Sequence, residues 1–178
     1  MHRTALIYGT ISGAIVIGST VVGVSVLDGT DTATFPEWLG YLTMLVALSL
    51  IFIGIKRYRD QEQGGVITFG KATLVGLGIA AVAGVIYVGV WEAYLASTDY
   101  AFIDQYTAAI IAEEEANGMT GAELHAKVAE MEGMKETYAN PLFRLPITFL
   151  EIFPVGVLIT LISAALLRKS SFMPASPA

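Results

Sequence analysis

Four long apolar runs, at residues 5–27, 38–55, 72–96 and 145–167, constrain what this chain can fold into more than any other feature. Crossing a hydrocarbon layer about 30 Å thick takes roughly 20 mostly apolar residues at about 1.5 Å of helical rise each. The first, third and fourth runs meet that length, and the second is near its lower limit. Composition agrees: 54% of the 178 residues are hydrophobic and 15% are charged, against about 25% charged in an ordinary soluble domain. So little polar material does not coat a particle in water. The absence of cysteine excludes a disulfide scaffold. A net charge of −6 and a pI near 4.8 argue against nucleic acid, whose phosphates require clustered Lys and Arg. The sequence predicts one all-α membrane domain over residues 1–169. Its expected form is a four-helix transmembrane bundle with an extracytoplasmic helical hairpin, residues 97–143, inserted between the third and fourth spans. The small, proline-containing residues 170–178 are expected to be disordered.

The first run follows Met1-His2-Arg3 and is longer than the apolar core of a signal peptide, about 7–15 residues, with no convincing small-x-small cleavage site. It is expected to be a retained anchor. Lys and Arg resist translocation, so their distribution sets orientation. One side carries Arg3, Lys56, Arg57, Arg59, Lys71, Arg168 and Lys169, whereas the other carries Lys127, Lys135 and Arg144. This predicts that both termini lie in the cytoplasm. Asp28, Asp31 and Glu37 then fall in the first outer loop, and Trp38, Trp91 and Tyr94 near the outer boundary, where amphipathic rings prefer to lie. Lys56, Arg57, Arg59 and Lys71 are expected to anchor topology or to contact anionic lipid heads.

The long third connection has the pattern of two amphipathic helices. Ile103, Tyr106, Ala109 and Ile110 recur at helical spacing before Glu113-Glu114-Glu115 and the breaker Gly118. Thr120-Gly121-Ala122-Glu123 has the capping-box form, and Leu124, Val128, Met131 and Tyr138 make one apolar stripe ending at Asn140-Pro141. Such stripes require cover from each other, from the lipid interface or from another protein.

Within lipid, helices associate through close contact at small residues and through hydrogen bonds. Ala72, Gly76, Ala80 and Gly84 form a ridge at intervals of four on the third span, and Gly9 with Gly13 makes a GxxxG step on the first. These predict packing within one bundle or, alternatively, a homodimer face. Glu92 and Glu151 are ionisable groups inside the spans, where a functional reading is the default. Arg144 precedes Glu151 by two helical turns, so the two are expected to share a face. A structural clamp, a proton or solute site, and snorkelling to water all fit these three residues. Pro154 removes the backbone bond that would close on Leu150, giving a kink that shapes a pocket or serves packing.

His2 and His125 are far apart without ligand spacing to other donors, so no metal is expected. No phosphate-loop or nucleophile-elbow motif occurs, so neither a cofactor nor an enzyme is expected. The sequence resembles a known family through Tyr8-Gly9, Gly40-Tyr41, Met44, Phe52-Ile53-Gly54-Ile55-Lys56-Arg57-Tyr58-Arg59-Asp60, and the stretch from Gly65 to Ala72. The likeness continues through Ile86-Tyr87, Trp91, Tyr138, Asn140-Pro141 and the stretch from Thr148 to Gly156. These segments resemble bacterial proteins of domain of unknown function family 4199. The resemblance implies a small multi-pass inner-membrane protein and brings no established activity. Two functions are then expected from the residues. One is a non-enzymatic scaffold that docks a membrane or periplasmic partner, or a second copy, through the outer hairpin. The other is a small oligomeric carrier or proton-coupled transporter using Glu92 and Glu151.

Overall fold

The computed structural model describes residues 1–27 and 37–175. Asp28 and Asp31, expected in the first outer loop, lie outside the described residues, as does the side chain of Glu37. Every regular element described is helical: α1 (His2–Leu27), α2 (Glu37–Leu48), α3 (Leu50–Glu62), α4 (Phe69–Ser97), α5 (Phe102–Ala116), α6 (Gly121–Ala139) and α7 (Pro141–Leu167). Four segments are long and apolar enough to cross a membrane: His2–Ser25, Trp38–Glu62, Phe69–Ser97 and Pro141–Leu167.

Two of these differ from the sequence-based boundaries for clear local reasons. The second span runs to Glu62 rather than Ile55 and is broken at Ser49 into α2 and α3. Ser49 remains right-handed (φ −59°, ψ −19°), but its N–H is shared between the carbonyls of Leu45 and Val46 and its hydroxyl donates back to Val46. The helix continues through the basic run because Lys56 pairs with Asp60 and Arg57 bonds Gln61, both one turn apart. The fourth helix starts at Pro141 rather than near residue 145. The Asn140 side chain accepts the Leu142 N–H at 3.0 Å, and proline suits the first helical position, where its missing N–H costs nothing.

The chain divides into two compact units, Met1–Trp91 with Phe149–Ala178, and Glu92–Thr148. In the first, small residues and branched aliphatic ones such as Ile51, Ile55 and Ile79 share the interior, and many other large apolar side chains face outward. Ser12, Ala47, Ala72, Ala80, Ala83 and Ala164 are buried, while Leu6, Val22, Val46, Val85 and Leu158 are exposed. Only 28–39% of the most apolar window of each span is buried. An outward apolar surface of this extent needs lipid to cover it.

α4 meets α1, α3 and α7 at close range. A Cβ on Gly9 of α1 would lie 2.6 Å from Val82 Cβ and 2.7 Å from the Ile79 carbonyl oxygen, and one on Gly13 would lie 2.6 Å from the Ala83 carbonyl. The ridge of small residues on α4 meets α7 instead. Gly76 lies under Thr160, Ala80 against Gly156 and Gly84 against the Phe149 ring. Gly54 of α3 admits Ile79 and the Tyr8 ring. The expected packing residues thus lie at helix contacts inside the chain, with Ala72 fully buried on the same ridge.

In the second unit α5 and α6 pack on each other, and their buried residues are Thr107 and Met131. Lys135 bridges to Asp104 at 3.2 Å. Leu124, Val128, Met131 and Tyr138 occupy the partly or fully buried positions of α6, as expected. On α5 the inward stripe is rotated: Ile103, Thr107 and Ile110 face in, whereas Tyr106 and Ala109 are exposed. The Thr107 hydroxyl can face inward because it donates to the Ile103 carbonyl. The capping box at Thr120 does not form. Thr120 has the extended conformation of a cap (φ −144°, ψ 169°) but makes no side-chain cap bond. Gly121 opens the helix at φ +63°, a left-handed start that turns the first amides away from the hydroxyl.

The close approach at Gly9 and Gly13 gives a direct test. Gly9→Ala and Gly13→Ala each push a methyl against backbone and are expected to destabilise the protein by about 1–3 kcal/mol. Gly18→Ala, with nothing within 4 Å of its Cβ, is expected to be neutral or slightly stabilising. Thermal unfolding in detergent, followed by far-ultraviolet circular dichroism, separates the three.

Candidate functional site

The most organised polar cluster belongs to the second unit and is centred on Arg144, in the first turns of α7. Its guanidinium grips Glu92, near the end of α4, side-on: Nε to Oε1 at 2.6 Å and Nη2 to Oε2 at 2.8 Å. The remaining nitrogen donates to the carbonyls of Tyr138 at 2.8 Å and Ala139 at 3.3 Å, which α6 leaves unpaired at its C-terminus. The guanidinium carbon lies 4.9 Å from the Tyr100 ring centroid and 5.7 Å from that of Tyr138, within cation–π range. One buried side chain, 3% exposed, therefore ties together the end of α4, the start of the α5 arm, the end of α6 and the start of α7.

The corner that supplies Tyr100 is held in an uncommon conformation. Asp99 and Tyr100 have φ of +50° and +58°, left-handed values that cost non-glycine residues roughly 1 kcal/mol or more each. The Tyr100 N–H closes α4 by bonding the Leu95 carbonyl at 2.8 Å. This geometry brings the ring over Arg144. Further along the hairpin, the Asp104 carboxylate beside Lys135 holds its ammonium above the ordinary lysine value. A raised pKa means that the pair contributes fully at neutral pH and is lost only as pH climbs through that elevated value.

The partner expected for Arg144 from its spacing was Glu151. Arg144 is instead committed to Glu92, while Glu151 accepts a hydrogen bond from the Tyr87 hydroxyl at 3.2 Å. Tyr87 is buried and Glu151 exposed on α7. A seven-residue interval fixes which face a side chain occupies without saying which neighbouring helix meets it. Tyr87, Tyr100 and Tyr138 were missed as site residues. An arginine among tyrosines close to helix ends was the available signal. α7 runs without interruption through Pro154, so the proline removes one rung and leaves the helix intact.

The basic residues expected at the lipid surface divide by helical angle. Arg57 and Arg59 lie about 200° apart on α3, and they face opposite ways. Arg57 is exposed, bonded to Gln61 at 3.1 Å and Tyr8 at 3.5 Å. Arg59 is fully buried and cannot reach a headgroup. It bonds Asp60 at 2.7 Å, the Leu167 carbonyl at 3.4 Å at the end of α7, and the carbonyls of Phe172 and Met173. A buried guanidinium demands such acceptors, so the segment expected to be disordered from Ser170 folds over Arg59, and Ala175 is the last residue described. Lys56 pairs with Asp60, and Lys71 bonds Gln63 at 2.7 Å. Among the described residues no three His, Cys, Asp or Glu side chains gather as metal ligands.

These features define an all-helical membrane-embedded protein with four apolar helices long enough to span a bilayer and polar clusters that link helix ends. The chain belongs to the family described as Protein of unknown function (DUF4199), which matches it over residues 7–169. No curated protein and no solved structure matches it.

Removing one member of a buried ion pair strands the other. Arg144→Gln is expected to cost the second unit about 2–3 kcal/mol. Faster tryptic cleavage at Lys127 and Lys135, with faster hydrogen exchange over residues 98–140, checks this in detergent. Unchanged cleavage and exchange would show that the clasp adds nothing.

Proposed function

We infer that this chain is a non-enzymatic, multi-pass protein of a bacterial inner membrane whose α5–α6 hairpin stands outside the cytoplasm and docks another protein. The observation that carries this reading is the Arg144 clasp, which closes the base of the hairpin with four hydrogen bonds and two aromatic rings. A rigid base presents a surface at low entropic cost, as recognition requires. It also commits Glu92 to a structural pair, leaving that carboxylate occupied by a cation that does not release a proton near neutral pH.

The hairpin's charge points to the kind of partner. Residues 97–143 carry nine carboxylates, at Asp99, Asp104, Glu113, Glu114, Glu115, Glu123, Glu130, Glu132 and Glu136, against two lysines, Lys127 and Lys135. Nine minus two leaves a net charge of −7, a field that steers and selects a basic protein surface. The excess of Lys and Arg at the other ends of the spans supports cytoplasmic termini.

A second reading keeps the carrier alternative, on one observation. Glu151 is an exposed carboxyl on an apolar helix, with a phenol as hydrogen-bond donor, and such groups mark proton or solute paths in membranes. Loss of pH-dependent uptake in Glu151→Gln proteoliposomes favours transport, and unchanged behaviour favours docking.

Because the chain has no cysteine, single-cysteine variants report directly. Glu123→Cys is expected to react with an impermeant maleimide on intact cells, and Lys169→Cys only after permeabilisation. Photo-crosslinkers placed along exposed α6 are expected to trap a partner in cells. The triple change Glu113→Gln, Glu114→Gln, Glu115→Gln should weaken trapping without affecting membrane insertion. If no hairpin position yields an adduct, the docking reading is wrong.

A further inference from the structure

A cavity of about 180 Å³ opens between the start of α1 and the end of α3, in the first unit. Its lining is largely polar and includes Arg3, Arg57, Tyr8, Tyr58, Gln61 and Thr4. The antiparallel helices meet there, as the 3.2 Å ion pair between the Met1 ammonium and Glu62 requires. Glu62 is the carboxylate on the cavity wall, and this ammonium is its ion-pair partner.

The cations at this end of the molecule are not equivalent. Lys56 and Arg59 are both taken up by Asp60, and Arg59 by the tail carbonyls as well. Arg57 is held in place by neutral groups, Gln61 and the Tyr8 hydroxyl. No carboxylate pairs with Arg3 or Arg57 among the described residues. Two guanidinium groups and two phenols lining one cavity, whose carboxylate Glu62 is paired with the Met1 ammonium and with neither arginine, form a receptor for a tetrahedral oxyanion. Arginine's planar fork matches phosphate oxygens in a way that a lysine point charge does not.

The surroundings indicate where the phosphate comes from. Ile7 and Ile11 follow Arg3 at intervals of four on α1, and Ile53 precedes Arg57 by four on α3. These isoleucines are 44%, 45% and 47% exposed. The helix faces that carry the two arginines therefore continue as apolar surface along the spans. A headgroup in the cavity would leave its acyl chains lying on those isoleucines. We propose that the Arg3–Arg57 cavity is a phosphate-binding site that takes the headgroup of an anionic phospholipid.

The test uses the full chain in detergent, titrated with short-chain phosphatidylglycerol and, separately, with inorganic phosphate. Native mass spectrometry and phosphorus NMR line broadening give the readouts. Phosphatidylglycerol is expected to bind, about tenfold more weakly to Arg3→Gln and to Arg57→Gln, and with unchanged affinity to Lys169→Gln. Both arginines are exposed, so circular dichroism of these variants should match the unaltered protein. If millimolar inorganic phosphate displaces the lipid, the site recognises the free anion. If it does not, the lipid is the ligand, as the isoleucine faces suggest. The proposal is overturned if neither compound binds, or if the double variant Arg3→Gln, Arg57→Gln binds phosphatidylglycerol as well as the unaltered protein.

Discussion

Inside hydrocarbon, a helix satisfies its own backbone hydrogen bonds and loses most of the drive to bury apolar side chains, because its surroundings are equally apolar. What remains to hold helices together is shape. The contacts of α4 follow from this constraint. Where α1 crosses it, Gly9 and Gly13 bring backbone close to the carbonyls of Ile79 and Ala83, and where α7 crosses it, Gly76, Ala80 and Gly84 accept Thr160, Gly156 and Phe149. Large side chains such as Ile51, Ile55 and Ile79 fill the space between these contacts, and others, such as Leu6 and Val85, face outward. Small residues set how closely the helices approach.

Charge is handled by a different principle. Each buried cation is placed where helix ends expose unpaired carbonyls, so that one guanidinium answers a carboxylate and a terminus together. Arg144 does this for α6, with Glu92, and Arg59 does it for α7, with Asp60. Both arrangements agree with the attraction of cations to helix C-termini. They also leave Arg3 and Arg57, at the other side of α3, available for something outside the protein.

The parts of this organisation that depend on local periodicity were legible in the sequence. Residues four apart on a helix share a face whatever surrounds them, so Gly9 with Gly13, and Ala72 through Gly84, could be read as contact surfaces before any neighbour was known. Long apolar runs gave the spans for the same reason. The identity of each neighbour was not legible, because it is set by how separate helices meet. Arg144 could be assigned a face but not Glu92, and the Tyr100 ring reaches it only through two left-handed residues that no pattern announces. The basic run Lys56 to Arg59 reads as one patch in sequence, although helical geometry sends Arg57 outward and Arg59 inward. The tail shows the complementary error. Its composition favours disorder, and only the acceptors demanded by a buried guanidinium reveal that it folds through Ala175.

The Arg59 arrangement also bears on the order of assembly. The carbonyls of Phe172 and Met173 lie 113 and 114 residues downstream of the guanidinium they receive. When α3 first enters the bilayer, those acceptors have not been synthesised, and Asp60 alone shields the charge. The contacts of Arg59 with Phe172 and Met173 therefore form only once the chain has been made through Met173.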